Sequence, residues 1–403
     1  MPKFLMATAL MAVCGGVFEN TYNNYLYAQF HIGPDVRGNL ELVREFPGFI
    51  NVLLMGALAF LPETRVAALA ALVTAVGMTG LGLKSDNWHL MLLFTLFWGA
   101  GSHLIMPIRS SLTMSLGGLT KRGKRMGQVG AINILGSIFG AAMVWFIFER
   151  YSGQNGTDQN GIVNIQEWQF DLAFYIGAAA CVAAFVFYYA LRQVGARSKR
   201  PALVLKRKYW LYYVLNVLFG ARKQVFLTFG KWVLVTVFRQ APSTFAKLWI
   251  VSSGIGMWFT PMVGRLVDRL GERTILVADS FVLMLVCLGY GLARHLGLGE
   301  SGALAVVFVS YVVDQLMFAV GMSRDTYMSK IADSEEDLTA SLSAGITINH
   351  LVAMSVPALG GMLWKAMGYE YVFLAAGIMA LFMAYFANKI RVPKSVELQE
   401  AGQ

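Results

Sequence analysis

Apolar residues run through this chain in long stretches, and polar residues collect in the short gaps between them. The stretches cover roughly 4–30, 38–61, 66–84, 88–116, 126–149, 168–191, 209–238, 244–264, 274–294, 303–328, 341–364 and 371–389. A helix needs about 20 apolar residues to cross the hydrocarbon of a bilayer. Each stretch is close to that length or longer. The pattern therefore predicts an all-α membrane protein with twelve transmembrane helices. The longest gap, "RQVGARSKRPALVLKRK" at 192–208, divides it into an N-terminal six-helix bundle (1–191), a linker (192–208) and a C-terminal six-helix bundle (209–403).

Composition agrees: 57% of the 403 residues are hydrophobic and 14% charged, against about 25% charged in soluble domains. The cations set the orientation. Lys121, Arg122, Lys124 and Arg125 fall in one gap, and Arg192, Arg197, Lys199, Arg200, Lys206, Arg207 and Lys208 in the linker. The positive-inside rule puts these in the cytoplasm, and both termini with them. The formal charge of +10 is accounted for by this bias, and no nucleic-acid partner is implied. Cys14, Cys181 and Cys287 lie far apart in apolar stretches and read as packing residues. The first stretch continues past Phe18, as a retained helix does and a cleaved leader does not.

The two halves repeat each other. "GALAFLPETR" (56–65) follows the second stretch and "GRLVDRLGER" (264–273) the eighth. Arg109 precedes Asn133 of "AIN" much as Arg324 precedes Asn349 of "TIN". With the twelve stretches, "GRLVDRLGERT" resembles the major facilitator superfamily's pattern between helices 8 and 9, through Gly264, Asp268, Arg269, Gly271 and Arg273. The resemblance implies that fold, with a central cavity lined by helices 1, 4, 7 and 10. It also implies that Asp268 and its basic neighbours latch the cytoplasmic side. The first-half copy carries Phe60 where the acid should stand. Gly127, Gly136 and Gly140 keep a glycine spacing seen in the family's antiporters, although close helix packing explains such glycines equally. Thr95 stands where the drug–proton antiporters carry arginine.

Ionisable groups at membrane depth are costly and face cavities or ion paths. Counted inward from the stretch ends, the polar groups nearest the midplane are Glu19 and Asn20 in stretch 1, His103 in stretch 4, and Arg222 and Lys223 in stretch 7. Asp314 in stretch 10 and Asn349 and His350 in stretch 11 complete the set. The charged ones fall on the four helices that the resemblance assigns to the cavity. At about 100° per residue Asn23 shares the face of Glu19. Arg109 extends a polar stripe with Thr95, Ser102 and Thr113, and Asp314, Gly321 and Asp325 align within about 20°. Lys223 and Lys231 are about 80° apart and about 12 Å along a regular helix, with Arg222 turned away from Lys231.

Two readings follow. The charges can neutralise one another, Glu19 and Asp314 against Arg222 and Lys223. Alternatively, Lys223 or Lys231 binds an anionic group of a solute while Glu19 or Asp314 carries a coupling proton. His103 and His350 could also respond to pH. Glu41, Arg44 and Glu45 read as a local ion-pair cluster near the outer surface. Between stretches 5 and 6, Asp158, Asn160 and Glu167 match part of a calcium-loop spacing whose first position is Gly156. A plain exposed turn is the alternative, and no other cofactor is expected.

The expected function is secondary active transport of a small organic solute, anionic or amphipathic, by alternating access and proton coupling. The expected protein is a monomer in a plasma or bacterial inner membrane. Alternatives are a drug or metabolite efflux antiporter, or a transporter-like sensor or lipid-handling protein without turnover; for a sensor, the ends at 1–3 and 390–403 look short. No nucleotide-binding loop of the Walker type is visible, so ATP drive is not expected, and no nucleophile constellation suggests an enzyme.

Overall fold

The computed structural model describes residues 1–83, 86–117, 122–152, 165–192 and 205–392, with side chains for all of these but 52, 116, 117, 122, 123 and 152. Among the described residues all regular structure is helical. The helices are α1 (Pro2–Phe30), α2 (Pro34–Phe49), α3 (Asn51–Ala57), α4 (Glu63–Leu83), α5 (Trp88–Gly117), α6 (Arg122–Ser152) and α7 (Glu167–Tyr189). They continue as α8 (Trp210–Val225), α9 (Lys231–Thr236), α10 (Pro242–Leu292), α11 (Gly299–Met317), α12 (Met322–Ile331), α13 (Glu335–Met367) and α14 (Tyr369–Ala387).

Nine helical segments among the described residues are long and apolar enough to cross a membrane. They differ from the twelve expected stretches at identifiable places. Stretch 2 is broken at Ile50, just after Pro47 and Gly48, the two residue types that weaken a helix most. Stretch 7 is interrupted by a π turn, Phe226–Gly230, and stretch 10 by a 3-10 turn, Phe318–Gly321. Stretches 8 and 9 join into α10, where Gly271 alone leaves helical geometry, at φ 76°. Only glycine adopts that φ without strain. The family motif therefore lies on two helix ends meeting at Gly271 rather than in an open loop.

Backbone contacts divide the chain into two compact units that are discontinuous in sequence. The first holds residues 1–33, 40–198 and 231–253; the second holds 34–39, 199–230 and 254–403. In the first, Phe4, Ala67, Ala71, Ile108, Leu112 and Tyr188 are core residues. Gly16 and Gly140 bring α1 and α6 together there: a Cβ on Gly16 would stand 2.2 Å from the Ser137 carbonyl oxygen, and one on Gly140 2.2 Å from that of Val13. Small residues let helix backbones approach this closely in lipid. Gly140 and Gly136 are thus packing glycines, whereas a Cβ on Gly127 would meet nothing within 4 Å.

In the second unit Leu215, Phe219, Leu283, Met328 and Met383 form the core. The end of the basic linker is tied down in this unit. Lys206 bonds Asp337 at 2.6 Å, and Lys208 pairs with Asp333. The Tyr209 hydroxyl bonds Asp337 at 3.1 Å.

Candidate functional site

The first unit carries a chain of buried charges that begins on α2. Glu41 stands about one helical turn before Arg44 and Glu45, and the long side chain of Arg44 reaches both Glu41 and its sequence neighbour Glu45. Arg44 Nη2 lies 2.6 Å from Glu41 and 2.8 Å from Glu45, and Arg44 Nη1 lies 3.5 Å from Glu19 of α1. A close helix approach makes this possible: a Cβ on Gly99 of α5 would stand 2.6 Å from the Arg44 carbonyl oxygen. His103 of α5 stands beside Glu45, its Nε2 3.6 Å from that carboxylate.

Lys231 stands beside Glu19. Its ammonium donates to the Glu19 carboxylate at 2.6 Å and to the Glu19 main-chain oxygen at 3.0 Å. It also lies 5.5 Å from the centre of the Trp249 ring, within cation–π range. The side chain of Lys231 is 2% exposed and that of Glu19 28%. Lys231 opens α9 directly after the π turn. A π turn holds one residue more than an α turn, so the 80° separation from Lys223 expected for a regular helix does not hold.

Arg44 is already enclosed by Glu41 and Glu45. Lys231 is the nearer of the two cations to Glu19, at 2.6 Å against 3.5 Å for Arg44. Around them Asn20 donates to the Gly16 carbonyl oxygen at 2.7 Å, Asn24 donates to that of Gln240 at 2.7 Å, and Asn23 is buried. Arg109, farther along α5, donates to Asn133 Oδ1 at 2.5 Å.

The second unit holds its own pair. Arg222 of α8 bonds Asp314 of α11, with side chains 1% and 2% exposed. Arg222 was expected to pair with a carboxylate on a neighbouring helix, and Asp314 is that partner. Asp325 does not join it: the 3-10 turn resets the helix phase, leaving Asp325 exposed and burying Arg324 instead. The guanidinium of Arg324 lies 3.3 Å from the centre of the Phe219 ring. Asn349 meets Asn216 at 3.5 Å, so the Arg109–Asn133 bond has a different counterpart in the second repeat. Lys223 is half-buried on α8 and His350 half-buried on α13.

Other expectations fall differently. Arg273 donates twice to Asn388 Oδ1, at 3.1 and 2.6 Å, within its own unit. A Cβ on Gly264 would meet only Met322 Sδ, at 3.8 Å. Asp268 and Arg269 lie on the same helical segment. Asp158 and Asn160 lie outside the described residues, and Glu167 opens α7.

The acids and arginine of α2 were expected to form a local cluster near the outer surface. They do pair, but the cluster is buried and runs on to Glu19 and His103. The i, i+3, i+4 spacing could have signalled the pairing; the contact with α1 depends on packing. Asp279 and Arg324 are both buried as well, and neither was singled out as a candidate at membrane depth.

Comparison with known proteins places these features in a family. A sequence model described as the Major Facilitator Superfamily matches residues 4–344. An uncharacterized MFS-type transporter of Bacillus subtilis (strain 168), YcnB, is 22% identical over 374 residues, which is 79% of this chain and 76% of that one. The crystal structure of the nucleoside transporter NupG superposes with a TM-score of 0.74 at 13% identity, covering 96% of this chain and 97% of that chain. That of a D-xylose-proton symporter gives 0.70 at 15% identity, covering 97% of each. At these identities the structural likeness speaks for the fold alone.

Proposed function

The chain belongs to the Major Facilitator Superfamily and is a membrane transporter, and from that premise we propose that it is a secondary active transporter carrying a small anionic organic solute together with protons. The observation that carries this reading is the position of Lys231, buried and held by both the carboxylate and the main-chain oxygen of Glu19. A buried ammonium without an anion is strongly disfavoured. While Glu19 is ionised it serves as that anion.

Protonation of Glu19 would remove its charge and leave Lys231 in need of another carboxylate or similar group. A solute anion supplies one. Proton and anion then enter together, and the loaded site has the same net charge as the empty one. Binding either ligand alone would leave the Glu19–Lys231 pair with an uncompensated charge, so the two are thermodynamically linked. The partial exposure of Glu19 gives a proton a way in. Arg44, fixed by Glu41 and Glu45, stays in place as Glu19 changes state.

Twelve membrane crossings, cytoplasmic termini and alternating access belong to this proposal. Within the second unit, glycines seat the first turn of α2 on α13. A Cβ on Gly38 would stand 2.1 Å from the Pro357 carbonyl oxygen, and one on Gly361 2.5 Å from that of Pro34. Lys365 bonds Asp35 at 2.6 Å beside them.

The test is uptake of a panel of carboxylate and phosphate metabolites into proteoliposomes with and without an inwardly directed proton gradient. At least one anion should accumulate with the gradient, and Lys231→Met should abolish that uptake. Gradient-driven accumulation of neutral solutes alone, unaffected by Lys231→Met, would refute the anion-binding role.

A further inference from the structure

The charge network on Glu19 leaves unused a second group of buried ionisable side chains, in the second unit. Asp279 of α10 is 3% exposed. Among the described residues neither of its carboxyl oxygens has a hydrogen-bond partner. The adjacent hydroxyl, Ser280, donates to the Leu276 carbonyl oxygen at 2.7 Å instead.

The charged groups acting on Asp279 come from three other helices: Arg222 of α8, Asp314 of α11 and Arg324 of α12. Asp325, exposed on α12, also acts on Arg324. Arg222 is committed to Asp314 through Nη1, while its Nε and Nη2 find no acceptor among the described residues. The same holds for Nε and Nη1 of Arg324, whose guanidinium is stacked on Phe219. Two arginines with unused donors and a carboxyl with no donor thus share one buried neighbourhood.

An ionised carboxylate in that position would draw in one of those guanidinium groups, because a buried charge without hydrogen bonds is strongly disfavoured. A neutral carboxyl tolerates the arrangement far better. We propose that Asp279 is a proton-binding site of the second unit, protonated in this conformation and separate from the Glu19 site.

Loss of the proton makes Asp279 a competitor of Asp314 for Arg222, and an acceptor for Arg324. Both arginines have N–H groups ready for it. Deprotonation would therefore rearrange the contacts linking α8, α10, α11 and α12, within one unit. The proton is the only ligand this requires. The proposal does not depend on solute identity or on the role of Lys231.

The test is infrared spectroscopy of the purified full chain in lipid, without added solute, with aspartate carbon-13 labelled at the carboxyl group. At neutral pH a protonated-carboxyl stretch that shifts with the label is expected. It should be lost in Asp279→Asn and retained in Asp314→Asn. If Asp279→Asn does not fold, Asp279→Glu decides: the aspartate label is then absent from this position, so the label-sensitive band should be lost. Absence of a label-sensitive band in the wild type, or its persistence in folded Asp279→Asn, would overturn the proposal. A water-bridged, ionised Asp279 gives the first of these contrary results.

Discussion

Lys231 grips Glu19 twice, through the carboxylate at 2.6 Å and the main-chain oxygen at 3.0 Å. The main-chain acceptor does not titrate, so Lys231 should stay in place when Glu19 is neutral. Removing the ammonium takes away the nearer cation of Glu19, since Arg44 stands at 3.5 Å. Lys231→Met should therefore destabilise the protein. The cost should be about 2 kcal/mol, below the roughly 3–5 kcal/mol of a fully buried pair because Glu19 keeps some water. Adding Glu19→Gln should restore much of the loss. Denaturation of the two variants in mixed micelles measures both effects.

Arg222 and Asp314 are more deeply buried, and neither has water to fall back on. Asp314→Asn or Arg222→Met alone should cost about 3–5 kcal/mol, and the double variant should cost less than the sum. A double-mutant cycle reads the coupling directly. Additive losses would mean that the two groups do not act as a pair.

Gly38 stands where no side chain fits, since a Cβ there would lie 2.1 Å from the Pro357 carbonyl oxygen. Gly38→Leu should keep the first turn of α2 from seating on α13. Cysteines replacing Asp35 and Lys365 report on this, because the native cysteines Cys14, Cys181 and Cys287 are all buried. A short bifunctional thiol reagent should link the introduced pair in the Gly38 background and fail in Gly38→Leu.

The Asp35–Lys365 bond also gives a pH signature. The hydrogen bond from Lys365 holds the Asp35 carboxyl below its ordinary range. A lowered value means that the stabilisation is present at neutral pH and is lost as pH falls through the folded-state value, below about 4. Both side chains meet water, so the effect should be about 0.5 kcal/mol or less. The stability difference between wild type and Lys365→Met should be small at pH 7 and vanish in acid.

Much of this arrangement was legible in the sequence. The apolar pattern located the helices because lipid demands long apolar segments, and depth alone singled out Glu19, Arg222 and Asp314. Who pairs with whom was less accessible. Arg222 meets Asp314 across 92 positions and Lys231 meets Glu19 across 212, and such partners are set by helix packing. Phase arguments failed at Asp325 and at Lys231 because a 3-10 turn and a π turn break the regular 3.6-residue repeat. The α2 cluster was visible as a spacing. Its burial depends on the close approach of α5 at Gly99, which composition does not reveal.

The measurement that bears most directly on the central claim is proton movement during solute binding. Purified protein in weakly buffered detergent solution, with a pH indicator dye, should take up protons when the anionic solute identified by uptake is added. Glu19→Gln should bind that solute without proton uptake, because its neutral amide already mimics the protonated acid. Equal proton uptake by the wild type and Glu19→Gln, or none in the wild type, would contradict the linkage of proton and anion at Glu19 and Lys231.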